Sequence, residues 1–406
     1  MKPKVLFVSI NFFSPEYLDG ANKITYNLLK EKALYSSFFL SLYDGKLSNE
    51  ERVKFSHVPI STIGSNYSFL KKYLRFIRWI MGQSLASLPR SEAKKLARAI
   101  EEQTELIDNI HLCSLGLASC LDYLSEETLK KVSLAAIDSY TMFTQKRITI
   151  QQSWIKKLIL KRELKLAMSF EKKAYALSPQ TVFVSSIDKN FSEKVFPKGK
   201  FHTISLGIDT DYFHPSTQSA TVKKNQIIFT GNLSYAPNKD ACNFLIQEIL
   251  PLLKNDIPNI KLVLAGASPT PGLHASNAPN IEVTGRVPDL RPYIWQSTLF
   301  VCPLRFGAGM KNKVLEVLSM ERPSIFSNLA LDGIEGLSND LIVLSHKANA
   351  IEWARAITDN LIRYSFSDKS LQKNRTIIKN NYSWNTQRES YSDLFLKKSS
   401  SFKNTR

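Results

Sequence analysis

The most informative stretch of this sequence is a glycine-rich segment between an apolar run and an amphipathic pattern. Residues 297–302 are β-forming and are followed by a proline, which predicts a buried strand. Over residues 314–320 the apolar positions recur at helical spacing. The chain therefore passes from strand to helix through Gly307 and Gly309, where the backbone can approach a ligand without a Cβ in the way.

Positive charge surrounds the start of this predicted helix. Arg305, Lys311 and Lys313 lie beside it in the sequence, and a helix N-terminus itself carries about half a positive charge. The combination predicts a site for a strongly anionic ligand, and a diphosphate fits better than a carboxylate. Glu316 would then bind something other than phosphate, such as sugar hydroxyls. A glycine loop with solvated lysines in any α/β protein is the alternative at this point.

Length and composition limit the class of protein. A chain of 406 residues with 43% hydrophobic residues is long enough for two or three folded domains. Its net charge of +18 indicates anionic partners, such as nucleic acid, phosphorylated substrates or an acidic membrane surface. Four cysteines without a Cys-x-x-Cys pair predict reduced thiols in a cytoplasmic protein and no zinc site. No apolar run approaches the roughly 20 residues that cross a bilayer, so any membrane contact would be peripheral.

Strand-like runs recur in both halves of the chain. Six in the first half predict strands: 4–10, 38–42, 106–112, 131–138, 181–186 and 201–206. Six in the second half do the same: 226–230, 260–265, 281–284, 297–302, 324–327 and 341–344. In the second half, the runs at 226–230, 260–265 and 281–284 each end at a glycine. The rhythm predicts two doubly wound α/β domains with ligand loops at the carboxyl edge of each sheet.

A polar segment marks the predicted domain boundary. Residues 216–225 contain almost no hydrophobic side chain, which is typical of a linker. We therefore predict an N-terminal domain at 1–215 and a second domain at 216–378. A C-terminal helix at 379–396 is expected to pack back on the first domain, and the Ser/Lys-rich tail at 397–406 is expected to be disordered.

Two segments of the first half mix basic residues with large apolar ones, at 69–81 and 154–165. This pattern suits helices that lie against acidic lipid. The alternative is a core-facing stripe with a solvated basic face. Elsewhere in this half, His111 lies in an apolar run, where a packed histidine is expected. Asp138 closes a predicted strand, where functional groups lie in open α/β sheets.

Taken together, the motifs resemble the retaining glycosyltransferases of family 4, within glycosyl transferases group 1. The resemblance is strongest at 229–240, 283–289, 303–316 and 332–336, and the residues at 207–215 resemble the family's interdomain signature. The resemblance extends over nearly the whole chain and is to the subgroup with a Gly-x-Gly-x-Lys motif. It implies the α/β GT-B fold, in which two doubly wound Rossmann-like domains face each other across a cleft.

The resemblance also implies roles for the matching residues. Lys239, Arg305 and Lys311 would stabilise the charge that grows on a diphosphate leaving group. Asp138 is a fourth catalytic candidate, because it stands where many relatives have a His that reaches toward the acceptor. The other matching positions would bind the donor: Gly20, Asn232, Arg286, Val287, Gly307, Gly309, Lys313 and Glu316. Among these, Arg286 and Val287 would pack the base, and Glu316 would bind the ribose.

Two positions depart from the family pattern. Family members often have an Arg where Asn232 stands, so more of the charge neutralisation would fall to Lys239, Arg305 and Lys311. The family commonly has a second Glu eight residues before Glu316, where this chain has Ala308. Contacts to the sugar hydroxyls would therefore differ from those of the commoner pattern.

The predicted function is transfer of a hexosyl group from a nucleoside-diphosphate sugar with retention of configuration, without a metal or other cofactor. The acceptor would be a saccharide or a lipid-linked molecule in bacterial-type surface polysaccharide or glycolipid synthesis. The enzyme would be cytoplasmic and peripheral on the inner face of the plasma membrane. A nucleotide-sugar 2-epimerase of the same fold and a non-catalytic nucleotide-sugar-binding subunit are the alternatives. Nucleic acid is not expected as a partner, because no recognition motif accompanies the charge.

Overall fold

The computed structural model describes residues 2–12, 20–31, 34–45, 48–64, 70–215, 222–307, 309–363 and 368–403. Its chain divides into two units. The first unit combines Met1–Leu206 with Trp384–Arg406, and the second unit is Gly207–Ser383.

A seven-stranded parallel sheet forms the centre of the first unit, in the order β3-β2-β1-β4-β5-β6-β7. The strands are β1 (Lys4–Ser9), β2 (Ser36–Ser41), β3 (Ile60–Thr62), β4 (Asn109–Leu112), β5 (Val132–Ile137), β6 (Thr181–Phe183) and β7 (Phe201–Thr203). In the middle of the sheet, Val5 pairs with Asn109 and Val8 with Leu112. β1 and β4 are buried almost throughout, as expected for strands covered on both faces.

Nine helices of the described residues belong to the first unit. They are α1 (Gly20–Leu29), α2 (Asn49–Lys54), α3 (Leu70–Ile80), α4 (Arg90–Glu101), α5 (Glu126–Lys131), α6 (Tyr140–Ile150), α7 (Trp154–Leu177), α8 (Ser186–Val195) and, from the end of the chain, α16 (Trp384–Lys403). Short 3₁₀ helices lie at Thr104–Leu106 and Leu115–Tyr123. Ser185 caps α8 by accepting the N–H of Ile187.

The second unit contains a six-stranded parallel sheet in the order β10-β9-β8-β11-β12-β13. The strands are β8 (Lys223–Thr230), β9 (Lys261–Ala265), β10 (Ile281–Gly285), β11 (Ser297–Cys302), β12 (Ser324–Ser327) and β13 (Ile342–Leu344). The helices are α9 (Ala236–Phe244), α10 (Leu250–Asp256), α11 (Pro271–His274), α12 (Arg291–Gln296), α13 (Asn312–Ser319), α14 (Ala350–Arg363) and α15 (Asp368–Tyr382). A π-helical turn at Leu245–Ile249 joins α9 to α10, and a 3₁₀ helix lies at Asn328–Leu331.

The predicted doubly wound character of both halves is confirmed, because each predicted apolar run contains a strand of one of the two sheets. Strand β3 was not predicted from the sequence. It has three residues and no buried side chain, so its sequence lacks the apolar pattern of a buried strand. Several strands are shorter than the predicted runs. In the run 106–112, for example, residues 104–106 form a 3₁₀ turn and β4 begins at Asn109.

The segment 207–215 is attached to the second unit. The hydroxyl of Ser319 donates to the carbonyl oxygen of Phe213 (2.6 Å), and the indole N–H of Trp295 donates to that of His214 (3.1 Å). These contacts explain why the units divide after Leu206, earlier in the chain than the predicted boundary at 215. Residues 216–221 of the predicted linker lie outside the described residues, and 223–225 already belong to β8.

The helix α16 completes the core of the first unit. Phe395 is fully buried, and its ring centroid lies 5.9 Å from that of Phe7, 5.2 Å from that of Tyr35 and 5.5 Å from that of His111. The backbone stays helical through residues 397–403, part of the tail predicted to be disordered; residues 404–406 lie outside the described residues. Starting a helix costs free energy, whereas extending one costs little. Because α16 is already held in the core, its extension into a polar sequence is favoured.

Buried polar and thiol groups of the core fit the sequence expectations. His111 is packed, because it is 1% exposed and its Nδ1 lies 2.9 Å from the hydroxyl of Ser133. All four cysteines are free and buried. Among the described helices, none combines the length and apolar character needed to span a membrane.

Candidate functional site

Glycines end two central strands of the second sheet at its carboxyl edge. Gly231 follows β8 and Gly266 follows β9, with φ of +147° and +148°. A Cβ on Gly266 would lie 1.9 Å from the carbonyl oxygen of Gly231. The two backbones therefore meet at a distance that only glycine allows. This is the edge at which open parallel α/β sheets bind ligands.

Asn238 fastens the loop that follows β8. Its amide donates to the carbonyl oxygen of Asn232 (2.8 Å), and its Oδ1 accepts from Nζ of Lys313 (2.8 Å). The side-chain oxygen of Asn232 accepts from the N–H and the hydroxyl of Ser234 (3.1 and 2.8 Å). The predicted donor-binding residue Asn232 thus closes a turn within its own loop, and Asn238 ties that loop to α13.

Lys313, in the first turn of α13, directs its ammonium group into the interior of the second unit. Nζ lies 3.9 Å from the centroid of the Phe229 ring, and it would lie 2.8 Å from a Cβ on Gly231. Burial lowers the pKa of Lys313, and the nearby Glu316 opposes part of that shift. The absence of a side chain at Gly231 therefore makes room for a cation next to the glycine loop.

Arg305 is held by carboxylates from the helix α9 and the turn after it. Its Nε and Nη2 donate to the two oxygens of Asp240 (2.8 and 2.7 Å), and Nη1 lies 3.8 Å from a carboxylate oxygen of Glu248. The guanidinium carbon lies 4.5 Å from the centroid of the Phe244 ring. The hydrogen bonds to Asp240 raise the pKa of Arg305. This bidentate pair fixes the plane of the guanidinium group. Neither carboxylate was among the residues predicted from the sequence.

The loop after β11 turns sharply before α13. Gly307 and Gly309 have φ of +139° and +73°, which favours glycine at both positions. Lys311 is the N-cap residue of α13, and its ammonium group donates to the carbonyl oxygen of Gly309. The buried face of α13 anchors the helix, so its N-terminus is fixed at this edge of the sheet. Glu316 is half-buried in the middle of this helix, and Ala308 lies outside the described residues.

The remaining predicted residues of the second unit lie on neighbouring loops. Lys239 is exposed in the first turns of α9, after β8. Arg286 is exposed and Val287 is half-buried, immediately after β10. Since β8, β10 and β11 are parallel strands of one sheet, the structure brings the predicted residues that follow them to a single edge.

Gly20 and Asp138 belong to the first unit. Gly20 is the first residue of α1, and Asp138 follows β5, as predicted for groups at the carboxyl edge of that sheet. Ile137 has φ of +69°, in the left-handed region that β-branched residues rarely adopt. Such strained backbone is often kept at functional sites.

A buried carboxylate supports this strained turn. Glu171 of α7 accepts the backbone N–H groups of Tyr140 and Thr141 (both 2.9 Å) at the start of α6. Burial raises the pKa of Glu171, while these hydrogen bonds favour its charged form. The sequence gives no signal for Glu171, because a glutamate within a long basic helix carries no local sign of being buried.

Part of the second unit matches a known family. Residues 224–362 match the family model described as "Glycosyl transferases group 1". No curated protein matches the chain significantly. The matched segment contains the glycine loops, Arg305, Lys311 and Lys313, all in the second unit.

Solved structures resemble the whole chain. Sucrose-phosphate synthase from Thermosynechococcus elongatus is 13% identical, with a TM-score of 0.68 over 97% of this chain and 98% of that one. Anabaena HepE in complex with UDP and glucose is 12% identical, with a TM-score of 0.66 over 97% and 100%. TarM is 11% identical, with a TM-score of 0.69 over 97% and 99%. The chain has the GT-B fold.

The GT-B fold confirms the predicted fold class of two Rossmann-like α/β domains. The match to the group 1 model confirms the resemblance for residues 224–362. Membership of family 4 and retention of configuration stay predictions, and so do the roles of the individual site residues.

Proposed function

We propose that this GT-B protein is a retaining glycosyltransferase whose second unit binds the nucleoside diphosphate of a sugar donor. The observation that carries the proposal is the match of residues 224–362 to the group 1 model. That segment contains a glycine-lined edge and the N-terminus of α13, with Arg305, Lys311 and Lys313 beside it. Anabaena HepE, which has a similar fold, has been solved in complex with UDP and with UDP-glucose. This supports a nucleotide sugar as the donor of this chain.

Charge stabilisation is the main task of such a site. As the bond from the sugar to the diphosphate lengthens, negative charge grows on the leaving oxygens. Lys239, Arg305 and Lys311 would stabilise that charge together with the N-terminus of α13, without a metal ion. Fixed cations of this kind need no reorganisation during the reaction, and Asp240 keeps Arg305 in one orientation.

The other predicted residues would position the donor. Gly307 and Gly309 would let the diphosphate approach the backbone, and Glu316 would bind the ribose hydroxyls. Arg286 and Val287 would pack the base. Lys313 would contribute positive potential and hold the loop through Asn238, while the loop itself contains Asn232. In the first unit, Gly20 would let α1 approach the donor, and Asp138 would reach toward the acceptor.

The acceptor would be a saccharide or a lipid-linked molecule, as in bacterial-type surface polysaccharide or glycolipid synthesis. The enzyme would act in the cytoplasm at the inner face of the membrane. Retention would be measured by NMR of the anomeric proton in the product. Metal independence would be measured as activity that survives a chelator.

Donor binding can be tested by thermal unfolding with the nucleoside diphosphates UDP, GDP, ADP and CDP. A nucleotide at a hundred times its Kd should stabilise the protein by about 2.7 kcal/mol. The double variant Arg305→Ala/Lys311→Ala should lose this shift, and the loss of one such cation should lower turnover by about 10²–10³-fold. The matched control, Lys254→Ala/Arg355→Ala, removes two exposed cations from α10 and α14 and should leave both unchanged. A double variant that transfers sugar as fast as the parent contradicts the proposal.

A further inference from the structure

Two helices of the first unit expose large apolar side chains. At the end of α3, Phe76, Ile80 and Met81 are 53%, 54% and 77% exposed. At the start of α7, Trp154, Ile155 and Leu158 are 71%, 54% and 56% exposed. We call these six residues the α3–α7 surface. Large apolar side chains grouped in this way usually mark an interaction site.

The two helices are joined at this surface by Arg162 of α7. Its Nη2 donates to the carbonyl oxygen of Ile80 (2.6 Å), and its guanidinium carbon lies 5.0 Å from the centroid of the Trp79 ring. Ile155 and Leu158 precede Arg162 by seven and four residues, so all three share one face of α7. Arg162 therefore places the end of α3 beside the face of α7 that contains Ile155 and Leu158.

The two helix segments carry charge of a single sign. Residues 70–81 and 154–162 contain eight lysines and arginines and no aspartate or glutamate. In α7, Lys156 and Lys157 stand at the helix N-terminus, where positive side chains are unfavourable. The first acidic residue is Glu163, which is buried and accepts from the hydroxyl of Ser84 (2.8 Å) and the N–H of Leu85 (3.0 Å). An anionic partner would relieve this excess of positive charge.

We propose that the α3–α7 surface docks on a bilayer that contains anionic phospholipid. The aromatic and aliphatic side chains would enter the interface, while the lysines and arginines would contact the headgroups. A second copy of this chain fits less well, because its own surface would bring like charges together. The proposal does not depend on the donor site, so either can fail without the other.

Vesicle flotation tests the proposal. Vesicles of phosphatidylcholine with about 30% phosphatidylglycerol should carry the protein at about 0.1 M salt and release it at about 0.5 M. Pure phosphatidylcholine vesicles should bind it weakly. Neutralising two lysines in Lys156→Gln/Lys161→Gln should lower the partition coefficient roughly 25-fold, at about fivefold per lysine. The matched pair Lys130→Gln/Lys172→Gln makes the same change at exposed residues elsewhere in the first unit. It should lower the partition coefficient by less than about threefold, which is a third of the 25-fold change on a logarithmic scale.

The apolar contribution has its own variants. Trp154→Ser/Leu158→Ser should abolish flotation, whereas Val53→Ser/Leu106→Ser, which alters exposed side chains elsewhere in the first unit, should not. Of the five tryptophans, Trp154 is the most exposed. Anionic vesicles should therefore shift the emission to shorter wavelength in the parent but not in Trp154→Phe, which should still float.

Three outcomes would overturn the proposal. The parent protein could fail to float with anionic vesicles at low salt. Each control pair could weaken flotation as much as its test pair, which would mean that binding does not depend on the α3–α7 surface. The parent could also be a dimer in light scattering that Trp154→Ser/Leu158→Ser converts to a monomer, which would assign the surface to a second copy.

Discussion

Gly266 has no room for a side chain, because the carbonyl oxygen of Gly231 occupies the space where a Cβ would stand. We expect Gly266→Ala to destabilise the second unit by about 3 kcal/mol, through the clash and the positive φ together. For a unit of this size the unfolding temperature should fall by about 6–12 °C. Thermal unfolding followed by circular dichroism measures the change.

Gly272 provides the control for this substitution. It lies in α11, and nothing within 4 Å would meet its Cβ. Gly272→Ala should therefore leave the unfolding temperature unchanged or raise it slightly. If both alanine variants unfold within about 2 °C of the parent, the close approach of the two strand ends is not needed for folding.

Single residues show how far the sequence could lead to the site. It predicted the cations because Arg305, Lys311 and Lys313 stand close together beside two glycines. It could not predict the directions of Arg305 and Lys313, because these are set by Asp240 and Asn238, more than sixty residues earlier in the chain. Spacing along one segment carries no information about such distant partners.

Helix α16 packs into the core of the first unit, although the whole second unit separates it in sequence from the rest of the first unit. Phe395→Ala should destabilise the first unit by about 3–5 kcal/mol, because the cavity would lie among Phe7, Tyr35 and His111. Leu396→Ala, one residue further on the same helix and 37% exposed, should cost less than about 1 kcal/mol. Urea unfolding curves of both variants measure the difference; equal costs would mean that α16 is not part of this core.

At the level of elements, the sequence predicted the strands well because most are buried on both faces and read as continuous apolar runs. It failed at β3, an edge strand without a buried residue. It also failed at the end of α16, where a Ser/Lys-rich composition suggested disorder although the helix continues. In both cases the neighbouring structure, and not the local composition, decides the conformation.

For the molecule as a whole, the buried thiols give a test of native packing. Burial raises the pKa of Cys113, Cys120 and Cys242 to about 12 and raises that of Cys302 as well. A thiol with a pKa of 12 has about a thousandfold less thiolate at pH 8 than one with its ordinary value. We therefore expect native protein to react very slowly with Ellman's reagent at pH 8. Four thiols should appear at once in denaturant, and rapid labelling of any native thiol would contradict the packing.

The pattern of repeated strands was enough to predict two sheets, but not the division of the chain between the units. That division depends on the segment 207–215, whose carbonyl groups accept hydrogen bonds from Ser319 and Trp295. A polar linker is easy to see in a sequence, whereas a turn-rich segment fixed by remote donors is not. Hence the structure divides the chain earlier than composition suggests.

The first unit is made of two pieces of chain with the whole second unit between them. On the ribosome, Gly207–Ser383 leaves the exit tunnel as an uninterrupted piece and can fold while synthesis continues. The seven described strands of the first unit have been synthesised by then, but the place of α16 beside Phe7 and Tyr35 is still open. Its hydrophobic interior therefore stays exposed to chaperones and to aggregation for the time that the ribosome takes to translate the second unit.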